Sequence, residues 1–153
     1  MVLHTGDKAP GFALKDQDGV LRRLDDAKGK YLILFFYPKD NTPGCTAEAC
    51  SFRDNIDKFK PYKAELWGVS GDNEESHKLF AERYSLSFPL LCDTNNMLRS
   101  IFKVPKTLGL VPGRVTYVID PQQRICHVFN NLLDGPSHVN EALRFLENAS
   151  KRK

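Results

Sequence analysis

Seven consecutive apolar or aromatic residues, Tyr31-Leu32-Ile33-Leu34-Phe35-Phe36-Tyr37, run between Gly29 and Pro38. A run of this length with no polar alternation has no side to show to water, so it reads as a central strand buried on both faces. It is far short of the ~18 apolar residues of a membrane span. After it the period changes. Cys45, Ala49, Phe52, Ile56 and Phe59 recur at helical spacing, which predicts a helix that ends near Pro61.

The alternation of strand and helix continues. Leu66 to Val69 predicts a short strand, and Glu74 to Tyr84 a helix with Phe80 and Tyr84 on one face, opened by the capping candidates Asp72 and Asn73. Phe88 to Leu91 predicts a further strand, and 97–102 a short helix. Val115 to Ile119 and Ile125 to Phe129 predict two strands joined by the polar turn Asp120 to Arg124. Val139, Ala142, Leu143 and Leu146 fall on one stripe of a C-terminal helix. At the start, Phe12-Ala13-Leu14 and Val20-Leu21 flank Lys15 to Gly19, and Asp18-Gly19 is a strong hairpin signal. This order predicts an α/β fold, a mixed central sheet flanked by helices with an N-terminal β-hairpin. A thioredoxin-like core is the simplest arrangement that fits.

The chain has 153 residues, the size of one domain, with 41% hydrophobic and 27% charged residues, too apolar for a disordered chain. The net charge of +3 resides in Lys151, Arg152 and Lys153, within a stretch expected to fray from residue 149. The rest is balanced, which leaves no basic groove for nucleic acid. Met1 to Pro10 has no basic region followed by an apolar run. The expectation is a cytoplasmic protein without a membrane partner, or one of a chloroplast-type compartment if a leader was removed.

Of four cysteines, two lie close together, Cys45 and Cys50. In a chain able to build its own core, such a pair points to redox or metal chemistry. Thr42-Pro43 reads as N-cap and N1, which puts Cys45 in the first helical turn. There, unpaired N–H groups carry roughly half a positive charge and favour a thiolate. Cys45 is therefore the nucleophile candidate. Five residues of helix separate two Cα atoms by about 8.6 Å, beyond the ~7 Å reach of a disulfide. A Cys45–Cys50 bond thus requires the first turns to unwind. Two inert thiols and half a zinc site are the alternatives; the spacing meets the first half of a zinc motif, and no histidine pair supplies the second. Cys92 and Cys126 read as small packing residues, and His77 and His127 as surface or structural groups. Arg114, at the head of a strand after Pro112-Gly113, reads either as a solvated edge residue or as a guanidinium held against the thiolate.

These residues resemble a family. Pro38, Thr42 and Cys45 stand as P-x-x-x-T-x-x-C, the signature of peroxiredoxins, and FYPKDNTPGCTAEACSFRD, from Phe36 to Asp54, is similar to the peroxiredoxin Q group, also called bacterioferritin comigratory protein. The resemblance extends to Gly6 to Pro10, Gly68-Val69-Ser70, Ser76-His77, Phe88 to Leu91 with Asp93, and Pro112 to Asp120. The last string, with Leu108-Gly109-Leu110 before it, is similar to the cyanobacterial and plant branch. The resemblance implies a thioredoxin-like fold and a thiol-dependent peroxidase that reduces hydrogen peroxide and organic hydroperoxides. It implies Cys45 as the peroxidatic cysteine, Cys50 as the resolving cysteine of the same subunit, and Thr42 as a hydroxyl that orients thiolate and peroxide. Pro38 shields the pocket, Arg114 supplies positive charge, and Glu48 orders the arginine. It further implies a monomer recycled by thioredoxin or a similar thiol reductant, with no metal or organic cofactor. A general thiol-disulfide oxidoreductase and a metal-binding protein of the same fold are the alternatives. One departure is the turn Asp120 to Arg124, which has no glycine where many relatives have one.

Overall fold

The structure, a computed structural model, describes residues 2–107 and 111–151. The seven-residue run forms β3 (Tyr31–Phe36), the middle of a five-stranded sheet with β4 (Ala64–Ser70), β5 (Leu90–Cys92), β8 (Val115–Ile119) and β9 (Ile125–Asn130). The strand order is β5-β4-β3-β8-β9. β3 runs parallel to β4 and antiparallel to β8, so the sheet is mixed. Leu32 to Tyr37 are all 0–1% exposed. Alternate side chains serve opposite layers, as a period of two requires. Ile33, Phe35 and Tyr37 pack with Phe52, Phe80 and Val139, whereas Leu32, Leu34 and Phe36 pack with Leu98, Phe102 and Tyr117. Each such side chain contributes about 1.5–3 kcal/mol by leaving water.

Helices α1 (Pro43–Asp54), α3 (Glu74–Tyr84) and α5 (Gly135–Lys151) supply one layer, and α4 (Met97–Ile101) with the N-terminal segment supplies the other. The helix expected to reach Pro61 is interrupted. At Asn55 the backbone leaves helical geometry and the side-chain Nδ2 donates to Ser51 O at 2.8 Å, so a separate α2 (Ile56–Phe59) and a 3₁₀ turn follow. α3 has the predicted bounds, with Asn73 as its N-cap accepting from Ser76 N.

The N-terminal hairpin pairs β1 (Ala13–Lys15) with β2 (Leu21–Arg23). Its loop is longer than a two-residue turn because Asp16 organises it, accepting from the N–H groups of Asp18 and Val20. The glycine-free turn between β8 and β9 is solved similarly. Gln123 takes φ +66°, where glycine is the easier residue, while Asp120 Oδ1 accepts from Gln122 N and Arg124 N. A two-stranded piece, β6 (Lys106–Thr107) with β7 (Val111–Pro112), is an addition to the predicted elements. α5 is helical through Lys151; Arg152 and Lys153, the end of the stretch expected to fray, and the Leu108-Gly109-Leu110 string lie outside the described residues.

Candidate active site

β3 stops at Phe36 because Pro38 has no N–H to continue a ladder. The chain then turns through Asn41 at φ +64°, a left-handed position that asparagine tolerates, and enters α1. Thr42 is the N-cap by position and Pro43 is N1. The Thr42 hydroxyl does not cap the helix; it donates to Lys39 O at 2.8 Å, which ties the loop to itself and leaves the oxygen free to accept. The first helical bond runs from Thr46 N to Thr42 O. The N–H groups of Gly44 and Cys45 find no acceptor among the described residues, so their partial positive charge is available at the helix end.

Cys45 is free and 2% exposed. Cys50, also free, is only partly buried, and both lie within unbroken α1. Pro38 and Thr42 are half-buried.

Arg114 enters from the start of β8 and is buried, not a solvated edge residue. Its Nη1 donates to Glu48 Oε1 at 2.5 Å and its Nε to Leu132 O at 3.0 Å. Nη2 sits over Gly44, where an added Cβ would lie 3.0 Å from it. Burial works against the guanidinium charge, but the charges of Glu48 and Cys45 outweigh it and raise the Arg114 pKa. Glu48 is fully buried, and burial pushes its carboxyl up to about 8 against the pull of Arg114. The second carboxyl oxygen, Oε2, has no hydrogen-bond partner among the described residues.

Behind Glu48 stands His138 of α5, with Nδ1 3.7 Å from Oε2. Burial lowers its pKa to about 4, so the ring is neutral near pH 7. Its Nε2 donates to Asn131 O at 2.8 Å, and its Nδ1 accepts from the Thr116 hydroxyl at 2.7 Å. The same loop binds Arg114, through Leu132 O and through Asn131 N to Arg114 O. Gly135 lets α5 approach α1, since a Cβ there would meet Gly44 O at 2.7 Å.

A second buried guanidinium, Arg99 of α4, donates to Tyr37 O and Gly113 O and is close enough to Cys45 for the two charges to interact. Arg99, Thr116, His138 and Gly135 were not anticipated as site residues. Nothing local marks them: their partners are 14 to 62 residues away for Arg99 and 22 for the Thr116–His138 pair.

Cys92 and Cys126 are half-buried, outside the site, and burial pushes both thiols up to about 12, well away from the reactive thiolate form. His77 is not a surface residue. It is fully buried between Asp40 Oδ2 at 2.7 Å and Leu91 O at 2.9 Å. His127 is half-buried and stacks on Phe145 with centroids 5.0 Å apart. Among the described residues, the three metal-ligating side chains that gather are Asp40, Asp72 and His77, a group that contains neither Cys45 nor Cys50. Both Asp40 carboxyl oxygens and both His77 ring nitrogens are engaged, with Tyr37, Ser76, Leu91 O and each other, and Asp72 Oδ2 accepts from the Ser70 hydroxyl and Asp40 N.

The family model described as "AhpC/TSA family" matches residues 5–128. A chloroplastic peroxiredoxin Q of Triticum aestivum is 46% identical over 144 residues, covering 94% of this chain and 66% of its own length. A second, from Sedum lineare, is 47% identical over 93% of this chain and 77% of its own. This chain thus spans about two thirds to three quarters of the length of these relatives. The peroxidoxin BcpB of Mycobacterium tuberculosis superimposes with a TM-score of 0.88 at 35% identity, over 95% of this chain and 97% of that one. An unpaired cysteine at a helix N-terminus, a buried arginine–glutamate pair against it, and these matches lead to one assignment: the chain belongs to the AhpC/TSA family, in its peroxiredoxin Q branch.

Proposed function

We propose that the chain is a thiol-dependent peroxidase whose nucleophile is Cys45. The observation that carries this reading is a buried, unpaired thiol on the free N–H groups of a helix terminus, with the buried Arg114 guanidinium held over Gly44 of the same helix turn. Both features favour the thiolate, the form that attacks. The Cys45 sulfur attacks one oxygen of a hydroperoxide. An S–O bond forms, the O–O bond breaks, and the leaving oxygen takes a proton and departs as water or an alcohol. Cys45 is left as a sulfenic acid. Arg114 and the N–H groups of Gly44 and Cys45 stabilise charge on the separating oxygens. The Thr42 hydroxyl, fixed on Lys39 O, orients the peroxide, and Pro38 keeps water from the thiolate. Glu48 aims Arg114.

Cys50 then attacks the sulfenic sulfur, water leaves, and a Cys45–Cys50 disulfide forms. With Cα atoms about 8.6 Å apart in an intact helix, α1 must unwind for this step. A dithiol protein of the thioredoxin class returns both cysteines to thiols, and the enzyme works as a monomer. Small hydroperoxides, hydrogen peroxide and alkyl peroxides, are the substrates. The structure of the bacterioferritin comigratory protein of Xanthomonas campestris, described for its alkyl peroxide reduction activity, supports this class at a TM-score of 0.84 and 28% identity over 90% of this chain and 91% of that one. Among the described residues no helix is long and apolar enough to cross a membrane. A reducing compartment suits the cycle, and the chloroplastic names of the plant relatives favour the chloroplast-type one over the cytoplasm.

The test is peroxide consumption with a thioredoxin system by the parent and by Cys45→Ser and Cys50→Ser. Cys45→Ser is expected to abolish turnover, and Cys50→Ser to consume about one equivalent and then stall or over-oxidise. Parental turnover by Cys45→Ser overturns the reading.

A further inference from the structure

Arg99 and Arg114 are equally buried, each 4% exposed. Arg114 is paired with the carboxyl group of Glu48. Arg99 has no such partner: among the described residues no ion pair within 4.0 Å includes it. The nearby Asp93 spends Oδ1 and Oδ2 on the backbone N–H groups of Leu98 and Arg99, where it caps α4. A buried cation without a paired anion is costly, and such a group persists where it serves another charge.

Two contacts show what Arg99 holds. The β3–β8 ladder ends with the pair Phe36↔Val115. Past that pair lie Tyr37 and Pro38 on one chain and Arg114 and Gly113 on the other. The Arg99 guanidinium bridges this gap, donating from Nη2 to Tyr37 O at 2.8 Å and from Nη1 to Gly113 O at 2.9 Å. These carbonyls immediately precede Pro38 and Arg114. Gly113 packs closely against Pro105 with no room for a side chain, since a Cβ on it would lie 2.3 Å from Pro105 O. The Phe36 ring lies beneath the guanidinium, with Cζ 5.8 Å from the ring centroid.

We propose that Arg99 is a positioning residue for the peroxide step, joining the strand end that carries Pro38 to the one that carries Arg114 and adding a second buried positive charge toward Cys45. This rests on the peroxidase reading. Burial pulls the Arg99 pKa down, while charge on Asp93 and Cys45 pulls it up, so the guanidinium gains stability when Cys45 ionises. The other charged or titratable groups that bear on the thiol, directly or through its arginine, are Arg114 from β8, Glu48 on α1 itself and His138 from α5 behind Glu48.

The experiment titrates thiolate ultraviolet absorbance against pH and measures single-turnover reaction with hydrogen peroxide in the full chain carrying Cys50→Ser, with and without Arg99→Met or Arg99→Lys. Arg99→Met is expected to shift the Cys45 titration upward by about one pH unit. It is also expected to slow the peroxide step by roughly tenfold to a hundredfold. Arg99→Lys keeps the charge but has no planar fork for both carbonyls, so its titration returns toward the parent while its rate stays low. A parental titration and rate in Arg99→Met overturns the proposal, as does a drop in thermal stability alone. Should Arg99→Met fail to fold, a parental rate in Arg99→Lys overturns it, and a reduced rate with an unshifted titration supports it. The peroxidase reading stands or falls separately on Cys45→Ser, because thiolate titration reads Arg99 whatever the substrate.

Discussion

Arg114 and Glu48, 66 residues apart in the chain, meet as Nη1 and Oε1 at 2.5 Å. This contact joins the head of β8 to the second turn of α1, and through it the central sheet places a guanidinium beside the turn that carries Cys45. It is an asymmetric pair, since among the described residues Glu48 Oε2 is buried without a hydrogen-bond partner while Oε1 is bound. That asymmetry and the 3.7 Å approach of His138 make the junction sensitive to pH.

Burial raises Glu48 from 4.5 to about 8, so the folded chain keeps this proton longer than the unfolded chain does. Stability from that difference is fully present below pH 4.5 and is lost as pH rises toward 8. Glu48→Gln removes the titration and with it this slope. Urea midpoints measured across the range check it, and an unchanged slope in the variant contradicts it.

His138 acts in the opposite direction. Burial lowers it from 6.5 to about 4, so its contribution is present above pH 6.5 and is lost as pH falls toward 4. Where the windows overlap the slopes oppose, and the parent is expected to be nearly flat there. His138→Gln exposes the Glu48 slope and Glu48→Gln exposes the His138 slope, each at most about 1.4 kcal/mol per pH unit. The same urea series in both variants reads the two signs.

Gly135→Ala places a Cβ 2.7 Å from Gly44 O and 2.8 Å from Glu48 Cβ, atoms of a packed helix that cannot swing aside. The expected destabilisation is about 1–3 kcal/mol, with a slower peroxide reaction because α1 is displaced. Gly11→Ala, whose Cβ meets nothing within 4 Å, is the control and should change stability by less than about 0.5 kcal/mol.

Oxidation is expected to unwind the first turns of α1. Amide exchange over Thr46 to Asp54 should therefore be faster in the disulfide form than in the dithiol form. Equal protection in the two states contradicts the switch.

What was legible in the sequence depended on local pattern. β3 announced itself because both of its faces are buried, and α3 had its bounds marked by Asn73 and by the stripe through Phe80. Cys45 at the third helical position followed from Thr42-Pro43 alone. Arg114 was ambiguous from spacing, because a strand-end arginine looks the same whether it meets solvent or Glu48. The resemblance to peroxiredoxins favoured the second alternative. His138 and Arg99 were silent because each gains its meaning from a partner in another layer: Thr116 for the first, the carbonyls of Tyr37 and Gly113 for the second. The break at Asn55 was hidden for a related reason, since the apolar stripe continues through it from Phe52 to Phe59.

The most direct test treats the fully reduced chain with one equivalent of hydrogen peroxide, followed by intact mass and a peptide map. The account predicts a product lighter by two hydrogens, with Cys45 and Cys50 in one disulfide-linked peptide and Cys92 and Cys126 still thiols. A linkage through Cys92 or Cys126, or a chain whose Cys45 remains an unreacted thiol, would contradict it.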